Sequence, residues 1–292
     1  MKQFIKDTYI NTIDYLLPLS GDVDQAGGIT SLDYSSSNQD LVSGMADLRE
    51  RLLGSKDFMG FVNNQDFAKP NDFTDLMALH PISVELIDEN LMRIVKNYLG
   101  KYVKLDSAVL SVMNMSGSDG NFQNQSGMLH HDSVGHRLKF FFPINTRGNA
   151  DYPTIYLDDS HKIRWESFLN PENSHGVRIP ENIVQMYSHT DKSETKVPFG
   201  SGYLFDTNGM HSGCYKAASE PRMIITFEFS ALKSIFPGKI GSSHFTMSKY
   251  AYDRLKSLRL IRTKRVMQES DGVYTHIGRN RRNEELNICD LL

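Results

Sequence analysis

Cysteine is scarce in this sequence. Cys214 and Cys289 are its two cysteines among 292 residues, one in mid-chain and one near the end, and no CxxC pair occurs. Two cysteines placed in this way exclude a disulfide framework. We therefore expect a protein of a reducing compartment.

Long apolar runs are also lacking. The opening stretch, "MKQFIKDTYINTIDYLLPLSGD", has no uninterrupted apolar segment of the kind found in signal peptides. No segment elsewhere approaches the roughly 18 apolar residues of a membrane span. We therefore expect a cytoplasmic protein with no membrane partner.

Neither sign of charge is in large excess. The formal net charge is -3 and the sequence pI is about 6.4. This balance argues against nucleic acid as a partner. The absence of internal repeats and low-complexity segments excludes a solenoid or a propeller. With 39% apolar and 10% aromatic residues, the chain can bury a sizeable core.

The first hundred residues have helical patterns. Apolar residues recur at spacings of three and four over residues 81–99, where Pro81 suits a first helical turn and Gly100 suits a C-terminal cap. Shorter helices are predicted over residues 3–17 and 39–53. The Gly/Ser/Asp-rich stretch of residues 20–37 between them predicts a loop.

After Gly100 the pattern changes to short runs rich in β-branched and aromatic residues, separated by Gly, Asn, Asp and Pro. This spacing predicts an antiparallel sandwich or barrel. The predicted strands cover residues 102–115, 128–132, 137–144, 154–157, 183–188, 202–205 and 222–230.

The last of these strands, "RMIITFEFS", has two different faces. Met223, Ile225, Phe227 and Phe229 share one face, whereas Arg222, Thr226, Glu228 and Ser230 share the other with Ile224. A strand that is apolar on one side and mixed polar on the other fits a barrel wall facing a polar cavity.

Helical spacing returns over residues 243–265, and the charged end "GRNRRNEELNICDLL" is expected to be peripheral. We predict a single domain over residues 1–292. It would comprise a helical N-terminal part (1–100), a β core (101–232) and a helical C-terminal part (233–292).

The segment "MLHHDSVGH" places three histidines and one aspartate within nine positions, 128–136. On a strand, His130 and Asp132 share one face, and His131 faces the other way. One imidazole and one carboxylate on the same face supply half of a metal site. A hydrogen-bonded polar pair is the alternative interpretation.

A second candidate segment, "GSGYLFDTNGMHSGCYKAASEPRMIITFEFS", contains His211 in a turn-rich stretch before Arg222. We predict a hairpin that returns His211 to the sheet bearing His130 and Asp132. Two imidazoles and one carboxylate are the ligand set of non-haem Fe(II) oxygenases, and zinc and manganese use similar ligands.

Arg222 narrows the choice of chemistry. A guanidinium on the polar face of a barrel strand is costly to bury without a partner, and its planar fork matches a carboxylate. One interpretation is a salt bridge to Glu228 or Asp206. The other is an anchor for the distal carboxylate of a dicarboxylate cosubstrate that chelates the metal.

The runs "LHHDS", "RLKFFFPIN", "DYPTIYLDDSHK", "GSGYLFDTNGMHSG" and "PRMIITFEFS" lie within about residues 100–232. Together they resemble the iron(II)/2-oxoglutarate-dependent oxygenases of the phytanoyl-CoA dioxygenase type. The resemblance implies a double-stranded β-helix, a jelly-roll or cupin-like barrel. It also implies that His130, Asp132 and His211 bind iron and that Arg222 binds the far carboxylate of 2-oxoglutarate.

The same resemblance implies a reaction. Fe(II), 2-oxoglutarate and O₂ would together hydroxylate a C–H bond of a small-molecule substrate and release succinate and CO₂. Related halogenases have a small residue at the position of Asp132. The carboxylate at this position therefore favours hydroxylation over halogenation.

Two departures from the family pattern affect the predicted pocket. Members often have a hydroxyl residue two positions after the distal histidine, where this chain has Gly213, and "YLDDSHK" replaces a "PGSHK"-like sequence. Ser212, Thr154 and Asn114 are predicted as further 2-oxoglutarate contacts. His136, Lys139 and His131 are predicted to line the substrate pocket.

The long polar connection "NPENSHGVRIPENIVQMYSHTDKSETK" predicts a lid over the substrate. His161, His175 and His189 are expected in solvated connections. Two alternative functions stay open: a non-oxidative cupin-like isomerase or hydrolase that uses zinc or manganese, and a non-catalytic binding module on the same fold.

Overall fold

A computed structural model of the chain describes residues 21–116, 127, 129–132, 137–162, 185, 191–214, 217–231, 244–269, 272–277 and 288–292. The strands are β1 (Ile29–Asp33), β2 (Pro70–Phe73), β3 (Val103–Met113), β4 (Arg137–Pro143), β5 (Thr154–Leu157), β6 (Lys192–Thr195), β7 (Ser201–Asp206), β8 (His211–Gly213), β9 (Arg222–Ala231), β10 (Phe245–Ser248), β11 (Val266–Gln268) and β12 (Val273–His276). The α-helices are α1 (Asp22–Gln25), α2 (Gln39–Gly54), α3 (Lys56–Asn63), α4 (Leu76–Leu79), α5 (Glu89–Leu99) and α6 (Lys249–Ser257). Short 3-10 helices cover Pro81–Leu86, Ser160–Lys162, Thr263–Arg265 and Ile288–Leu291.

Two facing antiparallel sheets form the centre of the fold. The larger sheet has the strand order β1-β7-β4-β9-β3-β2, and the smaller has the order β6-β5-β8. Side chains between the sheets join them: Thr154 Oγ1 lies 2.7 Å from Tyr203 Oη, and the rings of Tyr156 and Phe205 lie 6.2 Å apart. This architecture is the double-stranded β-helix that the sequence predicts.

The two faces of the larger sheet have different neighbours. Met223, Ile225, Phe227 and Phe229 of β9 belong to the main apolar core, together with residues of α2 and α5. Full burial of one such phenylalanine contributes roughly 1.5–3 kcal/mol. This face therefore attaches the helical layer to the sheet.

The opposite face of β9 looks toward the smaller sheet. Thr226 pairs with Phe141 of β4, and Phe141 pairs with Tyr203 of β7. Cross-strand partners share a face, and the Tyr203 hydroxyl contacts Thr154 in the smaller sheet. The mixed polar face predicted for β9 therefore lines the interior of the barrel.

The N-terminal third agrees in part with the helical prediction. Helix α2 matches the helix predicted over 39–53, whereas the helix predicted over 81–99 is divided into a 3-10 helix and α5. The division is at Asp88, whose side chain accepts a hydrogen bond from Leu91 N at 2.7 Å and caps α5. The helix predicted over 3–17 lies outside the described residues.

The N-terminal part is not purely helical. Strands β1 and β2 form the two edges of the larger sheet, so the loop predicted over residues 20–37 is wrong. β1 pairs with β7 from Ile29, opposite Phe205, to Asp33, opposite Ser201. The strand is stabilised by this long-range pairing, which the Gly-, Ser- and Asp-rich composition of residues 20–37 does not reveal.

The C-terminal part also differs from the prediction. Residues 245–248, within the predicted helix, form β10, which pairs with β12 in a further sheet of order β10-β12-β11. Only α6 within that range is an α-helix among the described residues. Among the helices of the described residues, none is long and apolar enough to cross a membrane.

Most predicted strands of the core are present, with ends within two residues of those expected. Of the strand expected over 128–132, the described residues form one bridge, between His130 and His211. The strand expected over 183–188, apart from residue 185, and most of the predicted lid, together with His175 and His189, lie outside the described residues. His161 is fully buried beside Asp24, with Nε2 3.1 Å from Oδ1, so the solvated position expected for it is wrong.

Candidate metal centre

His130 and His211 are direct partners on neighbouring segments. The backbone N–H of His130 donates to the carbonyl oxygen of His211 at 2.9 Å, and the N–H of His211 donates to the carbonyl oxygen of His130 at 2.8 Å. Residues that exchange both bonds in an antiparallel pair direct their side chains to the same face. Their ring centroids accordingly lie 4.4 Å apart.

Asp132 joins the two histidines. Its backbone N–H donates to Thr207 O at 3.1 Å, which fixes it to the connection between β7 and β8. Its Oδ1 lies 3.6 Å from His130 Nε2 and 3.7 Å from His211 Nε2. One possible ligand atom from each residue lies within 4.8 Å of the other two.

This spacing fits a single metal ion. Two ligand atoms that are about 2.1 Å from a metal and at right angles to each other are about 3.0 Å apart. The observed distances of 3.6 and 3.7 Å are less than an ångström longer, so a small side-chain adjustment suffices. Two imidazole nitrogens and one carboxylate oxygen suit iron(II), and zinc and manganese bind the same set.

The contacts of His211 direct its Nε2 toward this position. Nδ1 lies 2.9 Å from Gly209 O, and because a carbonyl oxygen only accepts, Nδ1 carries the proton and donates. Burial lowers the pKa of His211 to about 3, against the opposing effect of the Asp132 carboxylate. A neutral imidazole with an unprotonated Nε2 is the form that binds a metal.

Tyr156 and Gly209 fix the position of His211. Tyr156 is opposite His211 in the β5–β8 register, and its hydroxyl donates to Asp206 O at 2.9 Å. A Cβ added at Gly209 would overlap the Tyr156 hydroxyl. Only glycine therefore lets the turn pass over Tyr156 and present its carbonyl to His211.

Asp132 is held in its charged form. Lys139 Nζ lies 2.6 Å from Asp132 Oδ2. Burial alone would raise the pKa of Asp132, but nearby positive charge, above all that of Lys139, outweighs burial and lowers the pKa well below the usual range. The carboxylate is thus ionised and ready to accept a cation.

Arg222 begins β9 and is 5% exposed. It pairs in register with Met113 of β3, and its Nη1 donates to Met113 Sδ at 3.5 Å. Burial raises the pKa of Tyr152 to about 12, and the positive charge of Arg222 acts in the opposite direction. The guanidinium therefore lies inside the barrel wall, near the beginning of β5.

The salt bridges that the sequence suggested for Arg222 do not fit the topology. Glu228 lies six residues further along β9, about 20 Å away at about 3.3 Å per residue. Its carboxylate lies 2.8 Å from Arg137 Nη1. Asp206 pairs with Leu138 of β4, and Leu138 pairs with Phe229 of β9. Asp206 therefore lies on the apolar face of the sheet, opposite to the face of Arg222.

The three further residues predicted to contact 2-oxoglutarate are in different places. Thr154 is buried and faces the interior, opposite Gly213. Ser212 pairs with Ile155 between His211 and Gly213, so strand alternation directs it to the other face. The Asn114 side chain donates to Gln65 O at 2.9 Å and accepts from Ser116 N at 2.9 Å, which gives it a structural part in that loop.

Of the three residues predicted to line the substrate pocket, Lys139 reaches the metal group through Asp132. His131 is buried, with 1% of its surface exposed. It comes directly after His130, so its side chain points to the opposite face. His136 lies outside the described residues. Sequence reasoning missed Tyr203, whose hydroxyl meets Thr154, because its position in an apolar strand gives no signal of a polar role.

Comparisons with known proteins report on the fold. No family model matches the chain, and no curated protein sequence matches it. The crystal structure of EctD from S. alaskensis with 2-oxoglutarate and 5-hydroxyectoine is similar over 72% of this chain and 74% of that chain, with a TM-score of 0.51 and 16% identity. At this identity the likeness concerns the fold alone.

Two other solved structures are less similar. The epimerase SnoN in complex with Fe³⁺, alpha ketoglutarate and nogalamycin RO has a TM-score of 0.49 and 10% identity, over 78% of this chain and 84% of that chain. HygX from Streptomyces hygroscopicus with iron bound has a TM-score of 0.46 and 15% identity, over 74% of this chain and 88% of that chain.

Proposed function

We propose that this chain is a non-haem iron(II)/2-oxoglutarate-dependent oxygenase that hydroxylates a C–H bond of a small-molecule substrate. The observation that supports this proposal most is the convergence of His130, Asp132 and His211 inside a double-stranded β-helix, with a buried Arg222 on the same barrel. The resemblance of the sequence to oxygenases of the phytanoyl-CoA dioxygenase type supports it further.

Three atoms would hold the iron: Nε2 of His130, Oδ1 of Asp132 and Nε2 of His211. They face one another, and the contact of His211 with Gly209 keeps a proton off its Nε2. When bound, iron(II) with 2-oxoglutarate and O₂ supplies the oxidant that attacks a C–H bond, with release of succinate and CO₂. Three protein ligands would leave the remaining positions of an octahedral ion to other groups.

Arg222 would hold the distal carboxylate of 2-oxoglutarate. A planar guanidinium can donate two parallel hydrogen bonds to a carboxylate, and burial strengthens such a pair. The order of residues leading into and along β5 supports this position of Arg222. Tyr152 is close to the charge of Arg222, Thr154 comes next, and Tyr156 is opposite His211. Thr154 therefore lies between the two ends that a chelating dicarboxylate would contact.

Aromatic side chains would keep water from the reaction. The ring of Phe205 lies 5.0 Å from that of His211, and Phe141 lies 5.1 Å from Phe205. Tyr203 packs beside Phe205 at 6.2 Å. An apolar wall next to the metal centre strengthens electrostatic contacts in the site and limits side reactions with solvent.

Two features favour this function over its alternatives. The carboxylate of Asp132 occupies one ligand position, which favours hydroxylation over halogenation. Arg222 is a buried guanidinium on the same barrel as the triad, and a cosubstrate with a distal carboxylate gives a reason for it that a non-oxidative metalloenzyme does not.

The test is succinate formation by the purified protein with Fe(II), 2-oxoglutarate and O₂, in the presence of a panel of small polar molecules. We expect succinate only when all three are present, and a product 16 mass units heavier from one panel member. Metal-dependent turnover without O₂ and without succinate would identify a non-oxidative enzyme. Failure to bind any divalent metal would identify a binding module.

A further inference from the structure

The geometry points to Lys139 as a positioning residue that holds one oxygen of Asp132, so that the carboxylate offers the metal a single oxygen. This inference rests on the proposed function, because it assigns a role within the same metal centre. It concerns how many coordination positions Asp132 occupies, which the ligand set alone does not decide.

The two oxygens of Asp132 have separate neighbours. Oδ1 faces both imidazoles, at 3.6 Å from His130 Nε2 and 3.7 Å from His211 Nε2. Oδ2 lies 2.6 Å from Lys139 Nζ. The lysine amine therefore does not stand in the position of the metal, because it uses the other oxygen. Charge-assisted bonds of this length are among the strong hydrogen bonds of proteins.

The larger sheet fixes Lys139 in this orientation. Lys139 pairs with Phe205 on one side and with Glu228 on the other, in the middle of β4. Its side chain is 24% exposed and lies on the interior face. Glu228 is occupied by Arg137, with Oε1 2.8 Å from Nη1, so the carboxylate that lies next to Lys139 in register already has a cation.

The amine of Lys139 carries only donors, so at 2.6 Å it donates to Oδ2 of Asp132. A neutral or shorter side chain at position 139 would leave that oxygen available to the metal.

The coordination count explains why one oxygen matters. Two imidazoles and a monodentate carboxylate occupy three positions of an octahedral ion and leave three. A chelating 2-oxo acid occupies two of these and leaves one. If Asp132 bound through both oxygens, only two positions would remain, and the chelate would fill both. Lys139 therefore preserves the last open position.

The experiment is a set of crystal structures of the Mn(II)-loaded protein: wild type, Lys139→Met, Lys139→Arg and the control Lys104→Met. Lys104 is a partly buried lysine of β3 whose ion pair is with Asp106. The control thus makes the same replacement at another lysine of the larger sheet without removing a contact to Asp132. The dissociation constant of 2-oxoglutarate is measured by calorimetry on the same four Mn(II)-loaded proteins.

We expect Asp132 to bind Mn(II) through Oδ1 alone in wild type, Lys139→Arg and Lys104→Met, and through both oxygens in Lys139→Met. The dissociation constant of 2-oxoglutarate should rise about tenfold in Lys139→Met and change less than threefold in the other two variants. If Lys139→Arg behaves like the wild type, the changes in Lys139→Met are due to the lost hydrogen bond and not to a general loss of structure.

The inference is overturned if Asp132 binds Mn(II) through both oxygens in the wild type, a result that does not depend on the folding of any variant. It is also overturned if Lys139→Met keeps the monodentate mode, or if Lys104→Met changes the mode equally. In each of these cases the proposed function stands. If Mn(II) does not bind at the triad of the wild type at all, the proposed function fails with it.

Discussion

Thr154 and Gly213 are direct partners across β5 and β8, and the Thr154 hydroxyl lies 2.7 Å from Tyr203 Oη. Oxygenases of the type that the sequence resembles often have a hydroxyl residue where this chain has Gly213. Since Gly213 has no side chain, the interior face beside Thr154 is left to the threonine. A hydroxyl on the neighbouring strand thus stands close to where the family pattern places one.

Thr154→Val tests whether the hydroxyl of Thr154 on β5 takes the place of the hydroxyl that is missing at Gly213 on β8. Loss of a hydroxyl that donates to a carboxylate should raise the dissociation constant of 2-oxoglutarate roughly tenfold, measured by calorimetry on the Mn(II)-loaded protein. Thr74→Val is the matched control, because Thr74 is a buried threonine that follows the edge strand β2, where its carbonyl oxygen accepts from Thr246 N of β10. Equal affinities in wild type and Thr154→Val would remove Thr154 from the cosubstrate site.

Arg222→Leu should weaken 2-oxoglutarate binding about a hundredfold and leave Mn(II) binding unchanged, because two charge-assisted hydrogen bonds are lost away from the metal. Arg222→Lys should recover only part of the affinity, since an ammonium does not reproduce the planar fork. Arg147→Leu, at an exposed arginine that pairs with Asp151, is the control. Unchanged 2-oxoglutarate affinity in Arg222→Leu would show that the anchor is elsewhere.

Gly209→Ala should damage the metal centre without touching a ligand. The added Cβ would overlap the Tyr156 hydroxyl and push the turn away from His211, at a cost of about 1–3 kcal/mol in unfolding free energy. Gly60→Ala is the control, because nothing lies within 4 Å of its Cβ and it is inside α3. That variant should gain about 0.5–1 kcal/mol. Urea unfolding and Mn(II) titration check both, and a neutral Gly209→Ala would contradict the account of the turn.

His80 predicts a pH dependence away from the site. Burial lowers the pKa of His80, against a hydrogen bond with Gly44, so the unfolded chain takes up a proton at higher pH than the folded chain. Stability that depends on neutral His80 should therefore be lost as the pH falls below about 6.5. In urea unfolding, wild type should lose stability relative to His80→Gln between about pH 7.5 and 5.5. A difference that does not change with pH would be the contrary result.

Local patterns predicted the parts of the fold that local interactions determine. The alternation in residues 222–230 predicted β9 and its interior face, and the spacing in residues 81–99 predicted a helix whose second part is α5. β1 and β10 were missed because each is an edge strand, stabilised by pairing with β7 and β12 rather than by its own sequence.

The candidate site was likewise predicted only in part. His130, Asp132, His211 and Arg222 could be singled out because few other residue types bind metals and carboxylates. The hairpin expected to return His211 was wrong, since β8 and β9 belong to different sheets, and His211 reaches His130 through a bridge. The pairing of Lys139 with Asp132 depends on the register of β4, which no local pattern gives.

The most direct measurement of the central claim is the visible absorption of the protein with Fe(II) and 2-oxoglutarate in the absence of O₂. If the triad holds iron and Arg222 holds the far end of the chelating cosubstrate, a weak charge-transfer band should appear on addition of 2-oxoglutarate. The band should be absent in His211→Ala, present in His80→Gln, and should require much more 2-oxoglutarate in Arg222→Leu. Iron bound by the wild type without any band, or a band that persists in His211→Ala, would contradict the account.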